Sequence, residues 1–143
     1  MPITQAMATS FKVQLLNGQH NFTSNTFKLA LYTSSATINE NTTVYSATNE
    51  VASAGNYSAG GNTLSVSVTP TNSGNVAFIS FSNTSWANAT ITANGALIYN
   101  ANLSNAAVAV LAFGGDKTST NGTFAVNFPT ADATNAIIRL TAT

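Results

Sequence analysis

The sequence predicts an all-β fold: an antiparallel β-sandwich, jelly-roll or Ig-like, with a short N-terminal α-helix. Three observations predict it. First, segments that alternate apolar and polar residues recur roughly every 10–15 residues, a spacing that favours packed antiparallel sheets. Second, Gly, Pro, Asn and Ser cluster between those segments, where they favour turns. Third, the stretch Ala89–Phe113 reads as a β-hairpin. In ATITANGALIYN, residues Ile91, Ala93, Gly95, Leu97 and Tyr99 share one face, and Thr90, Thr92, Asn94, Ala96 and Ile98 the other. ANLSN follows as a turn-forming linker. AAVAVLAF is then apolar on both parities, with Val108 and Val110 on one side and Leu111 and Phe113 on the other. A strand of that kind expects cover on both faces.

The 143 residues suit one domain, read as a helical arm over 1–20 and a β-sandwich over 21–143. Hydrophobic residues make up 44%, enough for a core, while charged residues are only 6% against about 25% in ordinary soluble domains. The formal net charge is zero. Lys12, Lys28, Lys117 and Arg139 are widely spaced and form no basic patch, so nucleic-acid binding by counterion release has little to work with. A charge-poor surface keeps a free monomer poorly soluble and suits a chain covered by its own copies or a larger assembly. There are no cysteines, which removes disulfides, thiolate metal sites and thiol nucleophiles. The N-terminus does not read as a secretory signal, and no apolar run reaches the length of a membrane-spanning helix.

In chain order, residues 4–17 read as a helix. Met7, Phe11 and Leu15 fall at i, i+4 and i+8, with Thr4 as N-cap and Gly18 as the residue after the last turn. Two readings stay open for it: a helix that closes one end of the sandwich, or an arm that docks on a neighbouring subunit through Met7, Phe11 and Leu15. His20 follows in a turn setting, with no carboxylate at motif spacing, so no catalytic residue is assigned. Thr26–Thr33 alternates as a strand. Residues 34–62 form a long polar connection with one short strand near Thr43–Tyr45. It is either a solvated loop or a contact surface. Glu40 and Glu50 are too far apart for a calcium site. No cofactor or metal is expected.

Leu64–Thr69 is a strand that Pro70 should stop. Val76–Ser82 is the next, and Trp86 is expected as a core or edge anchor. After the central hairpin, FGGDKTSTNGTF is expected as a glycine-bent loop with an Asn121-Gly122 turn; it lacks the P-loop pattern. Thr123–Phe128 and Ala136–Thr141 complete seven or eight strands. Asn-X-Ser/Thr occurs at Asn21, Asn41, Asn56, Asn83, Asn88, Asn102 and Asn121. With 19 Asn in a Ser/Thr-rich chain, such triplets arise by composition and are not read as glycosylation sites.

Several blocks resemble a group of short virion structural proteins of tailed bacteriophages: MPITQAM with FKVQLLNG, TFKLALYTS, GNYSAGGNTL, ATITANGALIYN, AVAVLAFGGDKTSTNGTF and FPTADATNAIIRL. KLALYTS, GALIYN and FGGDKTS are the most specific, and the likeness covers nearly the whole chain. It implies a β-sandwich subunit of a phage particle, assembled in the host cytoplasm, with no catalytic residues to carry over. The expected function is non-enzymatic: a capsid decoration protein that cements the shell through apolar contacts. Its expected partners are its own copies, as a homo-oligomer, and other virion proteins (major capsid or tail), with no nucleic acid and no membrane. The alternatives are a tail, baseplate or fibre component and, ranked lower, a carbohydrate-binding module.

Overall fold

The ladder between two long strands carries the architecture. A computed structural model describes residues 3–141. Its elements are β1 (Ala6–Met7), α1 (Thr9–Leu16), β2 (Phe27–Tyr32), β3 (Asn62–Leu64), β4 (Val66–Ser73), β5 (Val76–Phe81), β6 (Thr84–Asn100), β7 (Ala106–Val126) and β8 (Ile138–Leu140). They form an antiparallel sandwich, with one sheet ordered β1-β7-β6-β2-β3 and a second ordered β4-β5-β8. The expected fold class is the observed one.

The hairpin expected at Ala89–Phe113 is the middle of a longer β6–β7 ribbon. Its ladder runs from Thr84 opposite Val126 to Asn100 opposite Ala106. Every residue from Gly95 to Asn100, and from Ala106 to Leu111, is buried. Periodicity explains the change along β6: Thr90 and Thr92 face solvent, whereas Ala96 and Ile98 on the same parity are 0% exposed because a second layer covers them. Ser104 (φ 49°) and Asn105 (φ 58°) close the hairpin in the left-handed region, which the linker ANLSN supplies.

FGGDKTSTNGTF is not a loop. It continues β7 opposite β6. Between the pairs Ala93–Lys117 and Gly95–Ala112 the register shifts, and Phe113–Asp116 bulge out. Gly114 (φ 77°) and Gly115 (φ 151°) make that bulge possible. Asn121 (φ 47°) marks a second irregularity rather than a hairpin turn. The ribbon therefore folds over. Phe113 and Phe124 would lie about 36 Å apart on a straight strand, yet their ring centroids are 6.3 Å apart.

Two further boundaries differ from expectation. Residues 4–8 are not helical: Ala6 and Met7 pair with Val110 and Ala109, and the Ala8 N–H donates to the Val108 carbonyl at 2.9 Å. The edge of β7 offered those groups partners, and the helix starts only at Thr9, whose N–H donates to the Glu40 carbonyl at 2.8 Å. Pro70 lies within β4, at a register shift between Val68 and Thr71, because β4 is an edge strand that needs no donor there. The expected strand Leu64–Thr69 is split at Ser65, where the chain crosses from one sheet to the other. The short strand near Thr43–Tyr45 is a single bridge from Val44 to Ala106.

Aromatic rings join the layers. Phe27 on β2 stacks with Phe22 at 4.5 Å and meets Phe81 on β5 at 5.9 Å, so the two sheets share one core. Trp86 is 3% exposed, between Tyr57 at 5.4 Å and Phe124 at 6.3 Å. The long connection 33–61 seats against β2: the Val51 N–H donates to the Leu31 carbonyl, and Gly61 (φ 76°) lies so close that a Cβ there would stand 1.7 Å from the Leu29 oxygen.

Candidate functional site

Two regions hold the residues that sequence reading singled out: the face around α1, and the seat of the long connection. The structure separates the stripe Met7, Phe11 and Leu15. Met7 is half-buried in β1 opposite Ala109. Phe11 is 0% exposed, with its ring edge-on to His20 at 4.8 Å and to Phe22 at 6.1 Å. Phe11 is thus committed to the chain's own core. Leu15 is half-buried and lines a groove of about 260 Å³ between the end of α1 and the smaller sheet, together with His20, Phe22, Phe78 and Leu140. Outside the stripe, three aliphatic side chains are exposed: Leu16 is 90% exposed and Val13 56% on α1, and Leu140 48% on β8. The stripe was read on a helix that starts too early, so its Met7 end fell on a strand.

His20, just past α1, is buried. Its Nδ1 lies 3.0 Å from the Asn100 amide nitrogen and its Nε2 2.9 Å from Gln14 Oε1. An amide nitrogen only donates, so Nδ1 accepts and Nε2–H donates to Gln14. Burial lowers the pKa, and the ring is neutral in this setting. Asn100, 0% exposed, also donates to Asn25 Oδ1 at 2.9 Å and accepts from the Asn102 N–H at 2.9 Å. One buried amide therefore ties the central hairpin to the segment after α1.

The second region is built on Glu50. Its carboxylate accepts from the Tyr45 hydroxyl at 2.5 Å, the Tyr57 hydroxyl at 2.6 Å and the Gly60 N–H at 2.7 Å. Tyr57 Oη in turn accepts from the Leu31 N–H at 2.9 Å. Tyr99 donates to the Gly60 carbonyl at 2.7 Å, and Tyr32 to the Ser46 carbonyl at 2.6 Å. The Tyr45 and Tyr99 rings stack at 4.6 Å. All 4 tyrosines of the chain converge here: Tyr32 and Tyr99 from strands, Tyr45 and Tyr57 from the connection. Spacing along the sequence gave no sign of this, because Glu50 meets its partners only once the connection folds back on β2. Burial first, and Glu50 second, raise all four phenol pKa values, Tyr99 to about 12. Phenols held protonated are weak nucleophiles, and a carboxylate with three donors is engaged. The arrangement is a clamp on the connection. Among the described residues, no three His, Cys, Asp or Glu side chains are grouped to hold a metal.

No family model, curated protein or solved structure matches the chain.

Two measurements check the clamp. Glu50→Gln keeps the size but sets an NH2 group against a donor. It should cost about 1.5–3 kcal/mol, the range of a hydrogen bond to a charged group, read as a lower urea midpoint; an unchanged midpoint contradicts the clamp. The tyrosines give an alkaline test. Their folded pKa values lie above the ordinary 10.0, so their contribution is full below pH 10.0; that of Tyr99 is lost as pH rises through about 12, and those of the other three at still higher pH. Tyrosinate absorbance should rise together with loss of the near-UV circular dichroism signal of the fold. Four phenols ionising near pH 10 with the fold intact would contradict it.

Proposed function

We propose that the chain is a non-enzymatic structural subunit of a bacteriophage particle, and specifically a capsid decoration protein. The observation that carries the reading is the set of exposed aliphatic side chains on α1 and β8. Leu16 and Val13 project from α1, and Leu140, half exposed, lines a groove with Leu15 and Phe78, on a chain with only 6% charged residues. A surface poor in charge with aliphatic side chains projecting from it suits burial against other subunits. The sequence blocks that resemble phage virion proteins point the same way. On this reading the partners are its own copies and the major capsid protein, the place is the virion, and the bond is apolar burial with neutral hydrogen bonds at its rim, repeated over many copies.

A tail, baseplate or fibre role is the second reading. The clamped connection favours it, since Val44, 47% exposed, and its Thr and Asn neighbours are held in a fixed display that a host surface could meet. A saccharide platform finds less support: Trp86 is buried between Tyr57 and Phe124.

The test is the protein's retention on purified particles across a salt series at fixed pH, followed by urea. Hundreds of copies per particle, little release between about 50 and 500 mM salt, and release in urea are the expected result. Absence from particles, or stepwise release with salt, contradicts the reading; a few dozen copies moves it to the tail.

A further inference from the structure

The two sides of the folded β6–β7 ribbon differ. Along its distal half, the outer side of β6 is blunted by side chains. The Asn56 amide donates to the Ala87 carbonyl, and the Asn62 amide to the Ser85 carbonyl at 3.0 Å. The outer side of β7 is occupied only at its start: β1 pairs at Ala109 and Val110, and Gln5 Oε1 accepts from the Ala112 N–H at 3.3 Å. Past Ala112, among the described residues, no backbone group pairs with that side.

A slot of about 390 Å³ opens there, lined by Phe113, Lys117, Thr118 and Thr123–Asn127. Every lining residue belongs to β7 or directly follows it, and none to β6, so the slot lies along the edge that β6 leaves free. It exists because β7 folds over across its two irregular stretches, Phe113–Asp116 and the one around Asn121, bringing Phe113 and Phe124 within 6.3 Å. A second cavity continues from it past Phe113 and Val126 to Gln5 and Ile137.

We infer that this slot receives an extended segment of a partner polypeptide, which adds a strand to the Gly122–Val126 edge. Two features define the chemistry of that segment. The outer backbone edge of Gly122–Val126, whose other edge is paired with β6 and which has about the length of a mean strand, asks for an extended chain, and the small side chains of Thr123 and Ala125 let it approach. Half-buried Phe113 offers apolar contact, and Lys117 is the one charged residue in the lining. The matching segment alternates aliphatic side chains with small polar ones and carries a carboxylate over Lys117. Lys117 forms no ion pair among the described residues, and the nearest acid in sequence, Asp116, is engaged by Asn94 at 3.0 Å. The inference does not rest on the particle reading; a partner strand could come from any protein of that chemistry.

The test uses the whole chain and two capped hexapeptides that alternate valine and threonine, one carrying a glutamate and the other a lysine in its place. Hydrogen exchange of the Gly122–Asn127 amides is followed with each. The glutamate peptide should slow exchange there by about tenfold at millimolar concentration, the lysine peptide less, and Lys117→Glu should reverse the order. Because Lys117 is exposed, that variant keeps the fold. No protection by either peptide overturns the inference. Equal protection by both overturns the role of Lys117. Protection that grows with protein concentration alone assigns the slot to a second copy and overturns the partner segment.

Discussion

The constraint on which the rest depends is burial of both faces of the central β6–β7 ladder. From Gly95 to Asn100 and from Ala106 to Leu111 no residue is open to solvent. Such a ribbon cannot stand alone in water, since each face needs its own cover. The smaller sheet and the aromatic cluster of Phe22, Phe27 and Phe81 belong to that cover, as do α1 and the connection 33–61, while β1 pairs along the edge of β7. Gly95 shows how closely it fits: a Cβ there would stand 2.5 Å from the Leu111 oxygen and 2.8 Å from Ile3.

This accounts for the unusual division of labour between polar and apolar groups. With so few charges, the fold pairs buried His20 and Asn100 through a neutral network, while the buried Ser10 hydroxyl has no partner among the described residues. Asn100 joins the hairpin turn to His20 and Asn25. Glu50 is the exception, a carboxylate used as a triple acceptor that holds a long polar segment in one place. A polar segment with few apolar residues has little hydrophobic reason to pack; here hydrogen bonds to one charged group supply the reason. The surface that results is poor in charge, with exposed aliphatic side chains at Val13, Leu16 and Leu140 and an open edge on β7.

Much of the fold was legible because it rests on local pattern. Alternation marked β2 and β6; the double parity of AAVAVLAF marked a strand buried on both sides; ANLSN marked the turn. What was not legible depends on groups distant in sequence. GGDKTSTNG reads as a loop because glycine and asparagine usually break strands, yet opposite β6 the same residues become bulges in one long strand. Residues 4–8 carry a helical stripe, but the free edge of β7 takes them as a strand. The site was less legible than the fold. Phe11 proved to be core, Leu16 and Val13 came to the surface, and nothing near Glu50 in the sequence announces its three donors.

The most direct measurement is native-state hydrogen exchange across a low-denaturant series. The account predicts that amides in the paired segments 95–100 and 106–111 exchange only through global unfolding, with the free energy and denaturant dependence of the whole chain. Amides of 84–93 and 117–126, beyond the bulge, should open at lower cost. Central amides that exchange by local opening, while the distal ribbon stays protected, would contradict the claim that the doubly buried ladder holds the structure together.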